Sequence, residues 1–595
     1  MNEAGIRHTG AYPDCYLSGR NCLKLVLHTA REDIRNAYVI LFARTSPAKK
    51  QRILMKHLLR DAANDHFCTK AEFKSTVRYR KYYFELESTD GKRFFYNAYG
   101  VTEEEPEDGF FEFLYANETD VLKIPDWCKG QIYYQIFPER FCNADTSRNP
   151  ANCMPWGTLP TRENYMGGDL RGITEKIHYL SELGVDCIYL NPIFLADFNH
   201  KYATSDYYEI DPQFGSKEDF KKLVDTVHAC GMKIILDGVF NHTGIHFKAF
   251  DDLCKEQEKS EYKDWYYVTE YPVTVSEKCY ECVGAYPYMP KLNTANPKVR
   301  DYILGVMRYW IAEFKIDGWR LDVADEVDES LWIFARRMLK DEFPDTLLLG
   351  ETWGMGLRLL SGNQMDSIMN YTFWNAVKDF FAYEKIDAAE LDFRLERMLS
   401  TYPQEINEAM FLVLDSHDTE RFLCSCDGDM RKMKLAIMMQ MCFVGAPSIY
   451  YGDEVGMTGD NDPGCRGCMP WEKNLQNEEL QNYYRSLIAL RKREKCLTSG
   501  SFAANLCEGR VFGFFRYMEN EKVYVFFNAG EEAQKVKVPV FDKADYDNLL
   551  TGEIYSAEER TEGRYWNQDM WEYGAEVPIT LNAYEGCIVK RRNLR

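Results

Sequence analysis

No apolar run in the 595 residues is long enough to cross a membrane. The longest charge-free stretch, Leu435 to Gly452, is broken by Gln440, Gly445, Pro447 and Ser448, which suits a buried helix followed by a buried strand. Positive charge is in short supply: 72 lysines and arginines face 93 acids, a net charge of −21 that repels phosphate backbones and anionic lipid. Nucleic acid and membrane are therefore not expected partners. Glycine and proline number 38 and 21, too few for a fibrous or disordered chain. The amino terminus, MNEAGIRHTGAYPDCYLSGRN, lacks the basic-then-apolar run of an export signal, so a cytoplasmic location is expected. No internal repeat or low-complexity tract points to a solenoid.

Cysteine is spread thinly. Nineteen residues, an odd number over a long chain, fit reduced thiols better than a disulfide scaffold. Two CxxC pairs, Cys279/Cys282 and Cys465/Cys468, have zinc-like spacing but lie far apart in sequence, and nothing else carries ligand spacing.

What is present divides into three parts. Residues 1–124 alternate apolar and polar residues in short runs such as NAYVILFAR and RKYYFELEST, which predicts a β-sandwich. Residues 125–498 switch to apolar β-branched runs interleaved with amphipathic stretches such as KEDFKKLVDTVHACG. Eight runs are present: QIYYQIFP, DCIYLNPI, KIILDGVFNH, GWRLDVA, TLLLGETW, SIMNY, FLVLDSHD and PSIYYGDE. That repetition predicts an α/β fold, a (β/α)₈ TIM barrel, with a doubly wound sheet as the alternative. Residues 499–595 return to alternation, with RVFGFFRY and KVYVFFNAG flanking MENE as a hairpin and GCIVKRR as a last strand, a second β-sandwich.

In such a barrel the chemistry sits where strands end. The polar residues closing the runs are mostly acids: Asp237, Asp322, Glu351 and Asp418, with His242, Arg320 and His417 beside them. Residues 322 and 351 are one βα unit apart, whereas the interval from 237 to 322 exceeds a unit, so residues 243–300, rich in aromatics, are expected to form an inserted lid. Paired carboxylates suit glycoside hydrolysis, in which an ionised acid attacks the anomeric carbon and a protonated one donates to the leaving oxygen. Arg320, two residues before Asp322 on one strand, points to the same side and is expected to hold that carboxylate ionised. Glu351 is then the proton donor. Two other readings stay open: acids that merely satisfy buried barrel groups, and a metal-dependent hydrolase using His200, His242, His417, Asp237 and Asp322.

These segments resemble the conserved regions of the α-amylase family, glycoside hydrolase family 13, in the order in which they occur there. DGVFNH resembles the first region, GWRLDVADE the second, GETW the third and SHD the fourth. MPKLN, Met289 to Asn293, is similar to the fifth region of the neopullulanase, cyclomaltodextrinase and maltogenic amylase group. IYYQIFPERF, NHKYATSDYYEIDPQFG and NDPGCRGCM follow the same group's pattern after the first, second and eighth strands.

The resemblance implies a retaining α-glucan hydrolase that cleaves α-1,4 bonds in cyclodextrins, pullulan and maltooligosaccharides through a covalent glycosyl-enzyme. Within the family the alternative is a transglycosylase or isomerase; outside it, a catalytically silent glucan-binding protein. By the same resemblance Asp322 is the nucleophile, Glu351 the general acid/base and Asp418 the acid that grips sugar hydroxyls. Arg320, His242 and His417 surround the central sugar, while Asp237 and Asn241 give structural support. His200 and Tyr202 contact the sugar before the scissile bond, an aromatic face suiting a pyranose. Asp462 and Arg466 bind the next glucose, and Trp353, Glu326 and Tyr286 lie on the leaving-group side.

The amino-terminal sandwich resembles a carbohydrate-binding module of family 34, which implies a homodimer whose modules help wall the partner's site. No cofactor is needed for the chemistry. A structural calcium is implied near the first barrel loop, with Asn143, Asp145, Asn149, the Gly167 carbonyl and Asp169 as oxygen ligands. Two departures stand out: Arg148 occupies a position where another ligand is typical, and Asp325 replaces an asparagine before Glu326, which bears on acceptor preference.

Overall fold

The computed structural model describes residues 1–561, 563, 565–567 and 570–592. All eight expected strand runs form strands, and they close into one parallel barrel: β1 Tyr133–Ile136, β2 Cys187–Leu190, β3 Lys233–Gly238, β4 Gly318–Leu321, β5 Leu347–Gly350, β6 Ser367–Ile368, β7 Phe411–Leu412 and β8 Ala446–Tyr450. β8 pairs with β1, and a bridge from Met369 to Phe411 joins β6 to β7, so the ring has no free edge. Strands covered on both faces need apolar residues at successive positions, hence the unbroken burial of CIYL, GWRL and LLLG. The stretch expected to be a buried helix and strand is helix Met430–Cys442 followed by β8. Among the described residues no helix is long and apolar enough to cross a membrane.

Helices seal the ring by amphipathic spacing. In Lys217–Ala229, Phe220, Leu223, Val224 and Val227 fall on one face and are buried, while Ser216 and Asp219 cap the start reciprocally. Each such side chain contributes about 1.5–3 kcal/mol of burial, so Leu223→Ala, at a fully buried site, costs about 2–5 kcal/mol.

Before the barrel lie two antiparallel sheets. One runs Cys15–Gly19, Cys22–Ala30, Asn64–Glu72, Lys56–Arg60, and the other is built on Ile34–Ala43 and Arg78–Ser88. Leu23, Leu25, Leu27, Val39, Phe84 and Leu86 fill the space between them. After the barrel, Val511–Met518 and Glu521–Asn528 form the expected hairpin in a six-stranded sheet, which packs on a three-stranded one around Phe515, Val538 and Val577. The barrel helix Ala388–Thr401 touches both flanking parts: Asp392, 3% exposed, accepts a hydrogen bond from Trp566 at 2.9 Å, with buried Glu396 one turn on.

Between β3 and β4, residues 243–300 carry helix Lys248–Glu256 and a loosely bridged ribbon. Its inner edge is bonded to the end of β3: Thr243 donates to the Pro290 carbonyl at 3.1 Å and Leu292 to that of Asn241 at 3.0 Å.

Candidate active site

Parallel register brings the acids together. Asp237 on β3 is the direct neighbour of Arg320 on β4, Asp322 follows β4 and Glu351 follows β5, all at the same end of the ring. Arg320 is fully buried and binds three carboxylates: Nη1 reaches both oxygens of Asp237 at 2.8 and 2.9 Å and Asp322 Oδ1 at 2.9 Å, and Nη2 pairs with Glu351 Oε2 at 2.7 Å. The expected contact of Arg320 with Asp322 is present, and the guanidinium is shared with two further acids. One cation cannot neutralise three buried carboxylates. Burial raises the carboxyls of Asp322, Glu351 and Asp237 above their ordinary range, Arg320 opposing in each case, which favours holding a proton within the cluster.

The backbone at this point is strained. Val323 has φ 43° and ψ 48°, a left-handed conformation that a β-branched side chain rarely adopts and that costs about 1–3 kcal/mol. The turn aims the Val323 N–H at Glu351 Oε2, 2.9 Å away, and the Ala324 N–H at the Glu351 carbonyl, 3.0 Å away. The turn at 323–326 is thereby fixed beside Glu351.

Asp237 also accepts from the phenols of Tyr189 at 2.6 Å and Tyr202 at 2.9 Å. His417 is held neutral by burial and by Arg466 and Arg320. Its Nδ1 accepts from Gln135 at 2.8 Å, which leaves the proton on Nε2, 2.6 Å from the Tyr202 phenol and 3.0 Å from Asp418 Oδ2. His242, its pKa pushed down to about 3 by burial, donates from Nε2 to the Tyr202 carbonyl. His200, likewise down to about 3 by burial, accepts the Tyr202 N–H at 3.0 Å.

Asp418 is partly open to solvent. Arg466 donates to its Oδ1 at 3.1 Å, to the His417 carbonyl at 2.8 Å, and pairs with Asp462 at 2.9 Å. Arg466 thus orients Asp418. Trp353 is half exposed and lies flat on Tyr371, centroids 4.1 Å apart, presenting its other face outward. Glu326 and Asn241 meet through Asn241 Nδ2 to Glu326 Oε2 at 3.2 Å, and Thr352 donates to Asp325 at 2.7 Å. The Tyr286 ring neighbours Tyr288, which packs on Phe198, which stacks on His200.

The residues of the metal reading do not form a ligand set. The Arg320 guanidinium lies between Asp237 and Asp322, and both nitrogens of His417 and Nδ1 of His200 already face other partners. Among the described residues no group of three or more His, Cys, Asp or Glu has metal-binding geometry. The calcium expectation fits in part only. Asn143 Oδ1 is buried with no partner and Asn149 Oδ1 faces Gly167, although it is Asn143 Nδ2 that meets it there, at 3.1 Å. But Asp169 spends its oxygens on the N–H groups of Ala144, Asp145 and Gly172, and Asp145 spends its own on Ser147 and Arg148. Arg148 bridges Asp145 and Asp219 at 3.0 Å each, where a cation would bind. As arranged, the set does not complete a calcium shell.

Sequence reasoning missed Gln135, Tyr189, Asn191, Phe198, Tyr288 and Lys291. Asn191 ends an apolar run, as the acids do, and that signal was available for it, whereas Gln135 interrupts one. Cys465, in one CxxC pair, donates to the His417 carbonyl and is a packing residue of this loop.

Comparison with known proteins agrees with this geometry. Residues 135–495 match the family described as alpha amylase, catalytic domain, and residues 1–117 match the alpha amylase N-terminal ig-like domain. The chain is 42% identical to a cyclomaltodextrinase of Thermoanaerobacter pseudethanolicus, covering 90% of this chain and 94% of that one. It is 40% identical to neopullulanase 2 of Thermoactinomyces vulgaris over 89% of each. A solved cyclomaltodextrinase superposes with a TM-score of 0.90 at 36% identity, covering 99% of this chain and 100% of its own.

Proposed function

The chain belongs to the α-amylase family of glycoside hydrolases, and from that premise we propose that it cleaves α-1,4-glucosidic bonds in cyclodextrins, pullulan and maltooligosaccharides by a retaining double displacement. The observation that carries the reading is Arg320 gathering Asp237, Asp322 and Glu351 at the open end of the barrel. Glu351, its carboxyl raised by burial, gives a proton to the leaving oxygen while Asp322 attacks the anomeric carbon and forms the glycosyl ester. Water, deprotonated by Glu351, then breaks the ester. Asp418, held by Arg466 and His417, accepts hydrogen bonds from sugar hydroxyls as charge develops on the ring. Tyr202 and Trp353 offer aromatic faces to successive sugars.

Homodimerisation through the amino-terminal sandwich is favoured by its edge strand Ser46–Leu54, nearly all exposed, together with exposed Tyr99, Leu114 and Tyr115. A reducing, intracellular setting is favoured by nineteen cysteines that are all free thiols.

The deciding experiment incubates the protein with β-cyclodextrin, pullulan and soluble starch in parallel and identifies products by chromatography, with mass measured by light scattering. Ring opening of cyclodextrin to maltose by a dimer is the expected result. No products from any of the three would overturn the hydrolytic reading. Glucose-dependent transfer products in place of maltose would favour the transglycosylase alternative.

A further inference from the structure

One cation near the site has no part in the scheme above. Lys291 comes from the lid, not from a barrel strand, and its backbone bridges to His242 at the end of β3. Its ammonium group donates to Asn241 Oδ1 and, at 3.1 Å, to the Glu326 carbonyl, with Glu326 Oε2 3.9 Å away. Asn241, fully buried, completes the triangle by donating from Nδ2 to that same carboxylate at 3.2 Å. Both ends of the Asn241 amide are therefore fixed, oxygen toward the ammonium and nitrogen toward the carboxylate. Glu326 itself is half exposed and ends the Ala324–Glu326 turn, whose start is bonded to Glu351. The turn therefore lies beside Glu351, the group to which the proposed mechanism gives both the leaving oxygen and the incoming acceptor.

We propose that Lys291 is a positioning residue: by locking Asn241 and Glu326 into one wall beside Glu351, it sets how the glycosyl group is divided between water and a second sugar. The inference rests on the carboxylate mechanism above. In the partition step the bond from Asp322 to the anomeric carbon breaks as an acceptor oxygen bonds to that carbon, and the acceptor's proton goes to the Glu351 carboxylate. Water needs only Glu351 for this. A sugar hydroxyl must also be oriented, and a carboxylate held in advance by two partners supplies that orientation without ordering at the moment of binding. Removing the ammonium leaves Asn241 Oδ1 buried without its partner and frees Glu326 to turn toward solvent.

The test uses the full chain with p-nitrophenyl α-maltoside as donor and glucose as added acceptor, comparing wild type with K291Q and K291R. Nitrophenol release reports the first step and the transfer product reports the partition. K291Q is expected to raise the glucose concentration giving half-maximal transfer by about tenfold, the loss of one charge-assisted contact, with nitrophenol release changed less than about threefold. K291R, which keeps charge and donors, is expected within about twofold of wild type for transfer. An unchanged glucose dependence in K291Q overturns the proposal. So does K291R as impaired as K291Q, or a parallel fall in both readouts together with the melting temperature, which would mark lid packing alone. D322N is run alongside: if it kept wild-type nitrophenol release, the carboxylate mechanism would fail, a result separate from any outcome at Lys291.

Discussion

The phenol oxygen of Tyr202 lies 2.6 Å from His417 Nε2, and the two rings run parallel, 4° between planes and 5.5 Å between centroids. The hydroxyl also donates to Asp237 and accepts from Asn191, so a residue taken for a sugar platform ties β2, β3 and the loop after β7 together beneath that platform. Tyr202→Phe keeps the platform and removes the tie. It is expected to lower kcat/KM on cyclodextrin about tenfold, the cost of one buried hydrogen bond. Tyr202→Ala removes both and falls further. Wild-type activity in Tyr202→Phe would show that the hydroxyl does nothing, and equal losses in the two variants would show that the ring adds nothing to it.

Asp322→Asn and Glu351→Gln are expected to lose roughly a thousandfold or more in turnover. Their melting temperatures should stay level or rise at pH 7, because each change removes one of three acids that share a single guanidinium. Calorimetry beside rate measurement checks both halves, and a destabilised, active variant would contradict them.

The junction at Asp392 makes stability depend on pH. Burial raises this carboxyl to about 7, while Trp566 and Arg31 pull the other way. A raised acid contributes stability that is fully present below its unfolded pKa of about 4 and is lost as pH rises through about 7. Asp392→Asn should therefore melt with wild type at pH 4 and roughly 2–4 °C above it at pH 8. A constant gap across that range, or a gap of opposite sign, would refute the assignment.

At the first barrel loop, Arg148 takes the place a divalent ion would need. Chelator is expected to shift the wild-type melting temperature by less than about 2 °C. Arg148→Ser should lose about 1–2 °C without added ion and regain it with calcium, through the unpartnered Asn143 oxygen and the freed Asp145 carboxylate. A wild type that melts early in chelator would show that the ion binds despite the arginine.

The barrel could be read from the sequence because parallel strands buried on both faces leave continuous apolar runs, and KIILD or GWRLD cannot be mistaken for alternation. The four acids could be read because each closes such a run. What could not be read depends on side chains crossing between distant segments. Arg320 was placed correctly on the same side as Asp322, but its second and third partners come from neighbouring strands whose register no local pattern encodes. Lys291 looks like any surface lysine until the lid folds back onto β3. Tyr286 sits in a segment with no periodicity, so only the folded lid shows that its ring neighbours Tyr288.

The hydrogen bonds from Thr243 to Pro290 and from Leu292 to Asn241 make the inner edge of the lid a mechanical extension of the barrel wall. Lifting that edge would break main-chain bonds worth about 0.5–1.5 kcal/mol each and expose the polar groups they satisfy. That inner edge is thus built as wall rather than as door, and the segment from Pro290 to Leu292 and the rim after β3 share one hydrogen-bonded frame.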